Sequence, residues 1–287
     1  MTTAPRRYVT AAREWQVRPL LRSMQRHCRP FVLHVLAWDW PAPWEGISRQ
    51  GDGAWLDMVP REAFLARHPG LLPLPGEPRR PTDEVCSIRW TFLAEVMRVT
   101  GQPVTAIDGD LWFWASPEPV FEEIGAAKMA VSPHGFAPAA VGLPGVTLES
   151  HGQYGRYNGG WVYFADQAPA AALAELCRGW CRTGFLDWRG RRLFGDQGWL
   201  EVVAENFGAH AIRHPGLNVA PWNVHRYPLP GYDGPQDLIA FHYSSLRFDG
   251  HRVAQLANPE YAITDEQARR FYAPYVQELE AHAQPAR

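Results

Sequence analysis

The sequence predicts an α/β fold: a mainly parallel mixed sheet flanked by crossover helices and built as one domain over residues 1–287. Three observations point to it. Short apolar or β-branched runs alternate with segments of helical period, the chain opens as β-α-β, and 287 residues with 46% hydrophobic content suffice for one large core.

Taken in order, "RYVTAA" (Arg7–Ala12) is a short strand, and Val17, Leu20, Leu21, Met24 and Cys28 mark one face of the helix after it. "FVLHVLAWD" (Phe31–Asp39) reads as a buried strand. Residues 40–81 are rich in proline and glycine and read as a long connection with a short helix at "PREAFLARH", the kind of loop that often forms a lid. Thr82 or Asp83 can cap the next helix, whose stripe is Val85, Ile88, Phe92, Leu93, Val96 and Met97, and Gly101 ends it before the strand "PVTAID". "AAKMAVSPH" and "GGWVYF" are further strands. A helix through Leu173, Leu176, Cys177, Trp180 and Cys181 follows, then a helix in "DQGWLEVVAENFG" with Asp196 in the capping position. "AHAIRH" and "LIAFHYSS" are the last strands, and residues from Thr264 onward form a polar terminal helix.

Charge and composition narrow the function. A formal net charge of −2 provides no basic stripe for phosphates, which argues against nucleic-acid binding. Cys28, Cys86, Cys177 and Cys181 show no CxxC pairing and read as core thiols of a reducing compartment. No signal segment or run of about 18 apolar residues occurs, so a cytoplasmic protein is expected, with at most peripheral membrane contact. Lys128 is the one lysine, and hence the one candidate for lysine chemistry.

The chemistry concentrates in "TAIDGDLWFWASPEPVFEEIG" (Thr105–Gly125), because ligands of open α/β sheets bind outside the carboxyl ends of the strands. Ser116 as N-cap, Pro117 at the first helical position and Glu118 against the helix dipole account for the helix start, leaving Asp108 and Asp110 without a structural task. Gly109 lets the chain bend so that both carboxylates turn to one site. Hard oxygen ligands with open positions suit Mg²⁺ or Mn²⁺, with a substrate diphosphate completing the shell.

"AIDGDLWFWASPEPVFEEI", "YNGGWVYF", "FGDQGWL", "HPGLNVAPWNVHRY" and "LIAFHYSSL" occur in that order, and the series resembles bacterial nucleotide-sugar glycosyltransferases of the GT-A fold. These are similar to the retaining family of glycogenins and lipopolysaccharide galactosyltransferases, and the likeness runs from about Tyr8 to Leu246. It implies a Rossmann-like nucleotide-diphospho-sugar transferase of polysaccharide biosynthesis that moves a hexose, with retention, from a nucleoside-diphosphate sugar (UDP-sugar foremost) to an acceptor hydroxyl. It implies Asp108, Asp110 and His242 as ligands of Mn²⁺ or Mg²⁺, and Asp196 and Gln197 as the catalytic pair beside the anomeric carbon. Asn158, Gly159 and Gly160 line the donor-sugar pocket in this likeness, and Thr10 and Ala11 end the strand that receives the base. The family places a basic residue facing the nucleotide where Arg89 stands; by position on its helix alone, Arg89 reads as part of a solvated face. The family's Gly-Lys after the late histidine is replaced by "HYSSLRF", where Arg247 offers a guanidinium for phosphate. "NVAPWN" (Asn218–Asn223) has no reason to be apolar core, so Trp222 and Asn223 are expected to meet sugar.

Two rivals share the motif. A phosphohydrolase could use a strand-end DxD with an aspartate nucleophile, although Leu111 and Trp112 follow the pair here. A carbohydrate- or nucleotide-binding protein on a degenerate transferase fold is the other. No dedicated base is evident, His151 and the carboxylates being candidates.

Overall fold

In the computed structural model, which describes residues 4–40, 45–71, 81–136, 154–183, 195–224, 238–261 and 263–281, β1 (Arg6–Ala12), α1 (Glu14–His27) and β2 (Phe31–Ala37) form the expected parallel unit, with Tyr8 beside Leu33. Every residue of β2 is buried, as a strand covered by helices on both faces must be. Val17, Leu20 and Met24 of α1 fall on its buried face.

The stretch read as an irregular connection contains β3 (Gly46–Arg49), β4 (Ala54–Pro60) and α2 (Arg61–Arg67). β4 runs parallel to β2, with Ala54, Leu56 and Met58 buried on alternate positions. Its period was obscured by Asp57, which the strand tolerates because His34 Nδ1 on β2 lies 2.7 Å from its carboxylate.

Next come α3 (Pro81–Thr100), which starts at the proline ahead of the expected cap, and β5 (Val104–Ile107), parallel to β1. β6 (Leu111–Phe113) is a strand that the sequence did not announce, and α4 (Glu118–Ile124) follows it. Pro117 occupies the N-cap position of α4, and Ser116 Oγ, one residue outside, accepts the Glu118 N–H at 3.3 Å. β7 (Met129–Pro133) and β8 (Tyr157–Phe164) pair antiparallel, and β8 also pairs antiparallel with β5. After α5 (Gln167–Thr183) and α6 (Gln197–Asn206), β9 (His210–Ala211) joins β7. The resulting eight-stranded sheet has the order β3-β4-β2-β1-β5-β8-β7-β9.

β10 (Ala240–His242) pairs antiparallel with β6, which sets His242 beside Leu111, and β11 (Arg247–Phe248) pairs with β12 (Val253–Gln255). The terminal segment runs through α7 (Asp265–Gln267), a π-helical stretch Ala268–Tyr272 and α8 (Ala273–Ala281), with Thr264 and Gln267 forming a capping box. It is not polar all round. Phe271, Tyr272, Tyr275 and Leu279 are buried, and they pack with Trp112, Phe241 and Tyr243 into a core beneath the β6–β10 ribbon.

Each face of the main sheet carries its own core. Tyr8, Leu33 and Val35 meet α1 on one side, and Val9, Leu36 and Val162 meet α3, α5 and α6 on the other. Cys28 and Cys177 are buried thiols, as expected, and Cys86 is a half-buried one. His151 and the side chains of Thr82, Asp83, Trp180 and Cys181 lie outside the described residues.

Candidate active site

Asp108 and Asp110 follow β5 directly, where the strand ends and the chain turns into β6. The turn is held by the Asp108 N–H on Gly160 O at 3.1 Å and the Tyr243 N–H on Asp110 O at 2.9 Å. Gly109 is needed there for space rather than for an unusual backbone angle, since a Cβ would collide with Ala12 at the end of β1. The β6–β10 ladder then returns His242 to the same point from about 130 residues away along the chain. Its Nε2 lies 3.4 Å from Asp108 Oδ2 and 3.2 Å from Asp110 Oδ1.

One donor atom from each of Asp108, Asp110 and His242 falls within 4.8 Å of the others. Adjacent ligands of an octahedral Mg²⁺ or Mn²⁺ at about 2.1 Å stand about 3 Å apart, so the spacing of this trio fits such an ion. Two carboxylates and an imidazole form a borderline-hard donor set that accepts either metal. Burial works against charge on both Asp110 and His242; even so, each favours the charged form of the other, Asp110 lying below its ordinary value and His242 above.

Arg89 is not part of a solvated face. Its guanidinium donates to Asp108 Oδ1, from Nε to Asp196 Oδ2 at 3.0 Å and to Gly159 O at 3.2 Å. Burial opposes its charge, but Asp196 and Asp108 more than offset this and keep it protonated. The α3 period carries this information: Val85, Arg89, Phe92, Leu93 and Val96 are spaced at four and three, the edge of the buried stripe. Gly159 is a close-approach glycine, because a Cβ there would strike the guanidinium.

Asp196 does not cap α6. It stands at the cap position with helical backbone angles and makes no capping bond; its Oδ2 instead collects the Arg89 guanidinium and Trp90 Nε1, the latter at 2.6 Å. Gln197 is buried beside it, its Oε1 accepting from Asn158 Nδ2 at 2.9 Å and its Nε2 donating to Tyr154 O at 3.3 Å.

The "NVAPWN" segment, contrary to expectation, is buried: Asn218, Val219, Ala220, Trp222 and Asn223 are each less than a tenth exposed. The polar side chains escape the burial penalty by pairing, with Trp222 Nε1 and Asn223 Nδ2 both donating to His134 O at 2.9 Å. Trp222 packs edge-on against the His242 ring at 5.4 Å. Asn218, which the sequence reading left without a role, touches both His242 Nδ1 and Asn158 Oδ1. Its backbone adopts a φ of +55°, a conformation that asparagine is one of the few side chains to take readily.

Thr10 is buried at the end of β1, its hydroxyl without a partner among the described residues, and Ala11 is half-buried. Arg247 is exposed on β11 and makes no described contact with the Asp108 cluster.

With the site defined, likeness to known proteins acquires a geometric meaning. The solved galactosyltransferase LgtC, in complex with donor and acceptor sugar analogs, superposes with a TM-score of 0.52 at 16% identity over 98% of this chain and 97% of that one. The chain has the GT-A glycosyltransferase fold. Two other structures share this GT-A architecture: GlyE of Streptococcus pneumoniae TIGR4 at TM-score 0.51 and 15% identity, over 84% of this chain, and the bifunctional WbbM at 0.54 and 13%, over 88%. The chain spans about half the length of those two, 55% and 48%. By sequence it is 26% identical over 288 residues to uncharacterized protein YfnD of Bacillus subtilis (strain 168), covering 92% of this chain and 85% of YfnD. It is 29% identical over 185 residues to uncharacterized protein YfnF of the same strain, 58% of each chain. No protein-family model matches. No described helix is long and apolar enough to cross a membrane.

Proposed function

We propose that this protein is a metal-dependent glycosyltransferase, acting as one domain, that moves a hexose from a nucleoside-diphosphate sugar to an acceptor hydroxyl with retention of configuration. The observation that carries the proposal is the convergence of Asp108, Asp110 and His242 at the end of β5 on a GT-A sheet. These three residues hold Mn²⁺ or Mg²⁺. A divalent cation there supplies positive charge against the departing diphosphate.

The remaining work falls to the protein's own groups. Arg89 ties Asp108 to Asp196, so the metal side and the sugar side of the site are fixed relative to each other. Asp196 is fixed in place by Arg89 and Trp90, which suits stabilisation of positive charge at an oxocarbenium-like anomeric carbon. Gln197 presents its amide from the first turn of α6, and Asn158, Gly159 and Gly160 form the wall facing the sugar. Thr10 and Ala11 receive the base of a UDP-type donor, Arg247 offers a phosphate contact, and Trp222 and Asn223 back the sugar pocket from behind His242 and His134.

The test is turnover of a panel of nucleoside-diphosphate sugars, read as nucleoside diphosphate released with and without Mn²⁺. Metal-dependent release that D110N removes is the expected result. Phosphate released from phosphomonoesters with no release from any sugar nucleotide would replace the proposal with the phosphohydrolase reading.

A further inference from the structure

We infer that Asn218 is a positioning residue for His242, holding Nδ1 as the proton-bearing ring nitrogen so that Nε2 turns a lone pair toward the space between Asp108 and Asp110. The inference rests on the metal-centre reading above and extends it to a residue outside the metal-binding trio.

One group among these contacts has a polarity that is not open to choice. The Gly160 backbone N–H can only donate, and it lies 2.8 Å from Asn158 Oδ1. That contact makes this end of the Asn158 amide the oxygen and the other end the donor, which meets Gln197 Oε1 at 2.9 Å. Asn218 approaches the same Asn158 oxygen at 2.9 Å and must do so with its NH₂, because a reversed amide would set oxygen against oxygen. Its own oxygen therefore faces His242 Nδ1 at 3.0 Å. An acceptor at that distance requires a hydrogen on Nδ1, and a neutral imidazole then carries its lone pair on Nε2. The relay from a backbone amide through two side-chain amides thus selects the tautomer that a metal ligand needs.

Backbone contacts hold the relay in place. Val219 is bridged to Phe241, and the Asn218 carbonyl accepts from Asn223 Nδ2 at 3.4 Å. A Cβ on Gly160 would lie 2.7 Å from His242 Nδ1 and 2.9 Å from Asn218 Oδ1, so the two side chains meet only above a glycine.

Mn²⁺ titration of the full chain, followed by the electron-spin-resonance signal of free Mn²⁺, tests this. Asn218→Gly accepts the positive φ and removes the acceptor, and should weaken Mn²⁺ binding about ten-fold or more. Asn218→Asp keeps an acceptor facing Nδ1 but loses the donor to Asn158 Oδ1, and should bind Mn²⁺ more tightly than Asn218→Gly does. On a His242→Ala background, Asn218→Gly should cost nothing further, whereas a role confined to general packing would cost the same with or without the imidazole. Parent-like affinity in Asn218→Gly, or an equal loss on both backgrounds, would overturn the inference while leaving the metal centre standing. Absence of Mn²⁺ binding to the unaltered chain would overturn both. Long-range ¹H–¹⁵N correlation of the unaltered, Mg²⁺-saturated protein reads the tautomer without any substitution: a proton on Nδ1 of His242 is expected, and a proton on Nε2 would contradict it.

Discussion

Two partly buried carboxylate clusters flank this sheet, and they differ in how their charge is closed. At the end of α4, Glu123 accepts the backbone N–H groups of Arg213 and His214 at 2.7 and 3.0 Å, and His210 Nε2 lies 2.8 Å away. All three contacts come from one short stretch around β9, and together they pin that edge strand to the helix. Beyond β5, by contrast, Asp108, Asp110 and Asp196 face one guanidinium and one imidazole drawn from distant parts of the chain. Asp196 is closed by Arg89 and Trp90, Asp108 shares Arg89, and Asp110 has His242 alone among side-chain ion pairs of the described residues. With His242 as a neutral ligand, the three carboxylates against one arginine among the described residues leave two negative charges, which a divalent cation would balance. A cluster that serves packing closes on itself, whereas one that serves a ligand keeps a charge for it.

The sharpest way to break this contrast is to remove the one permanent cation of the β5 cluster. Arg89→Met leaves Asp196 and Asp108 buried without their counter-charge and should cost about 3–5 kcal/mol in urea unfolding. A loss below about 1 kcal/mol would mean the carboxylates do not depend on Arg89. Gly160→Ala drives a methyl group into Asn158, Asn218 and His242, with an expected cost of about 2–3 kcal/mol and weaker Mn²⁺ binding. Gly208→Ala, where a Cβ meets nothing within 4 Å, should lose only the strain of its positive φ, about 1 kcal/mol, and leave Mn²⁺ binding intact.

Glu123→Gln should cost about 1–2 kcal/mol and leave sugar-nucleotide turnover unchanged. Burial alone would raise the Glu123 pKa, but the Arg213 N–H, His210 and the His214 N–H together bring it below the ordinary 4.5. Its contribution is therefore complete above the unfolded value and lost as pH falls through the lower folded one, so parent and variant should converge in stability as the pH drops below the ordinary carboxylate range. The smallest effect belongs to Glu118→Ala: its pair with Arg6 is largely exposed, and unfolding should shift by no more than about 1 kcal/mol.

What the sequence disclosed follows from how each signal is encoded. β1, α1, β2, α3 and β5 were legible because each keeps one hydrophobic period from end to end. β4 was hidden by Asp57, whose partner His34 lies on another strand, and β6 by having three residues and a partner in β10 that only the fold brings near. In the site, Asp108, Asp110 and His242 could be named from residue chemistry and family likeness. Asn218 could not, because a buried amide in an irregular segment has no periodicity and takes its meaning from Gly160, Asn158 and His242 in space. Arg89 had two readings, and its ion pairs with Asp108 and Asp196 exclude the solvated face, in keeping with the α3 spacing that sets it at the buried edge.

The central claim is that Asp108, Asp110 and His242 form a metal centre serving a donor diphosphate, and the coupling between metal and nucleotide tests it most directly. Calorimetric titration of UDP into the protein, with and without Mn²⁺, should show binding strengthened by about ten-fold or more by the metal in the parent chain, and no strengthening in D110A. UDP affinity that is the same with and without Mn²⁺ in the parent, or the same metal effect in D110A, would contradict it.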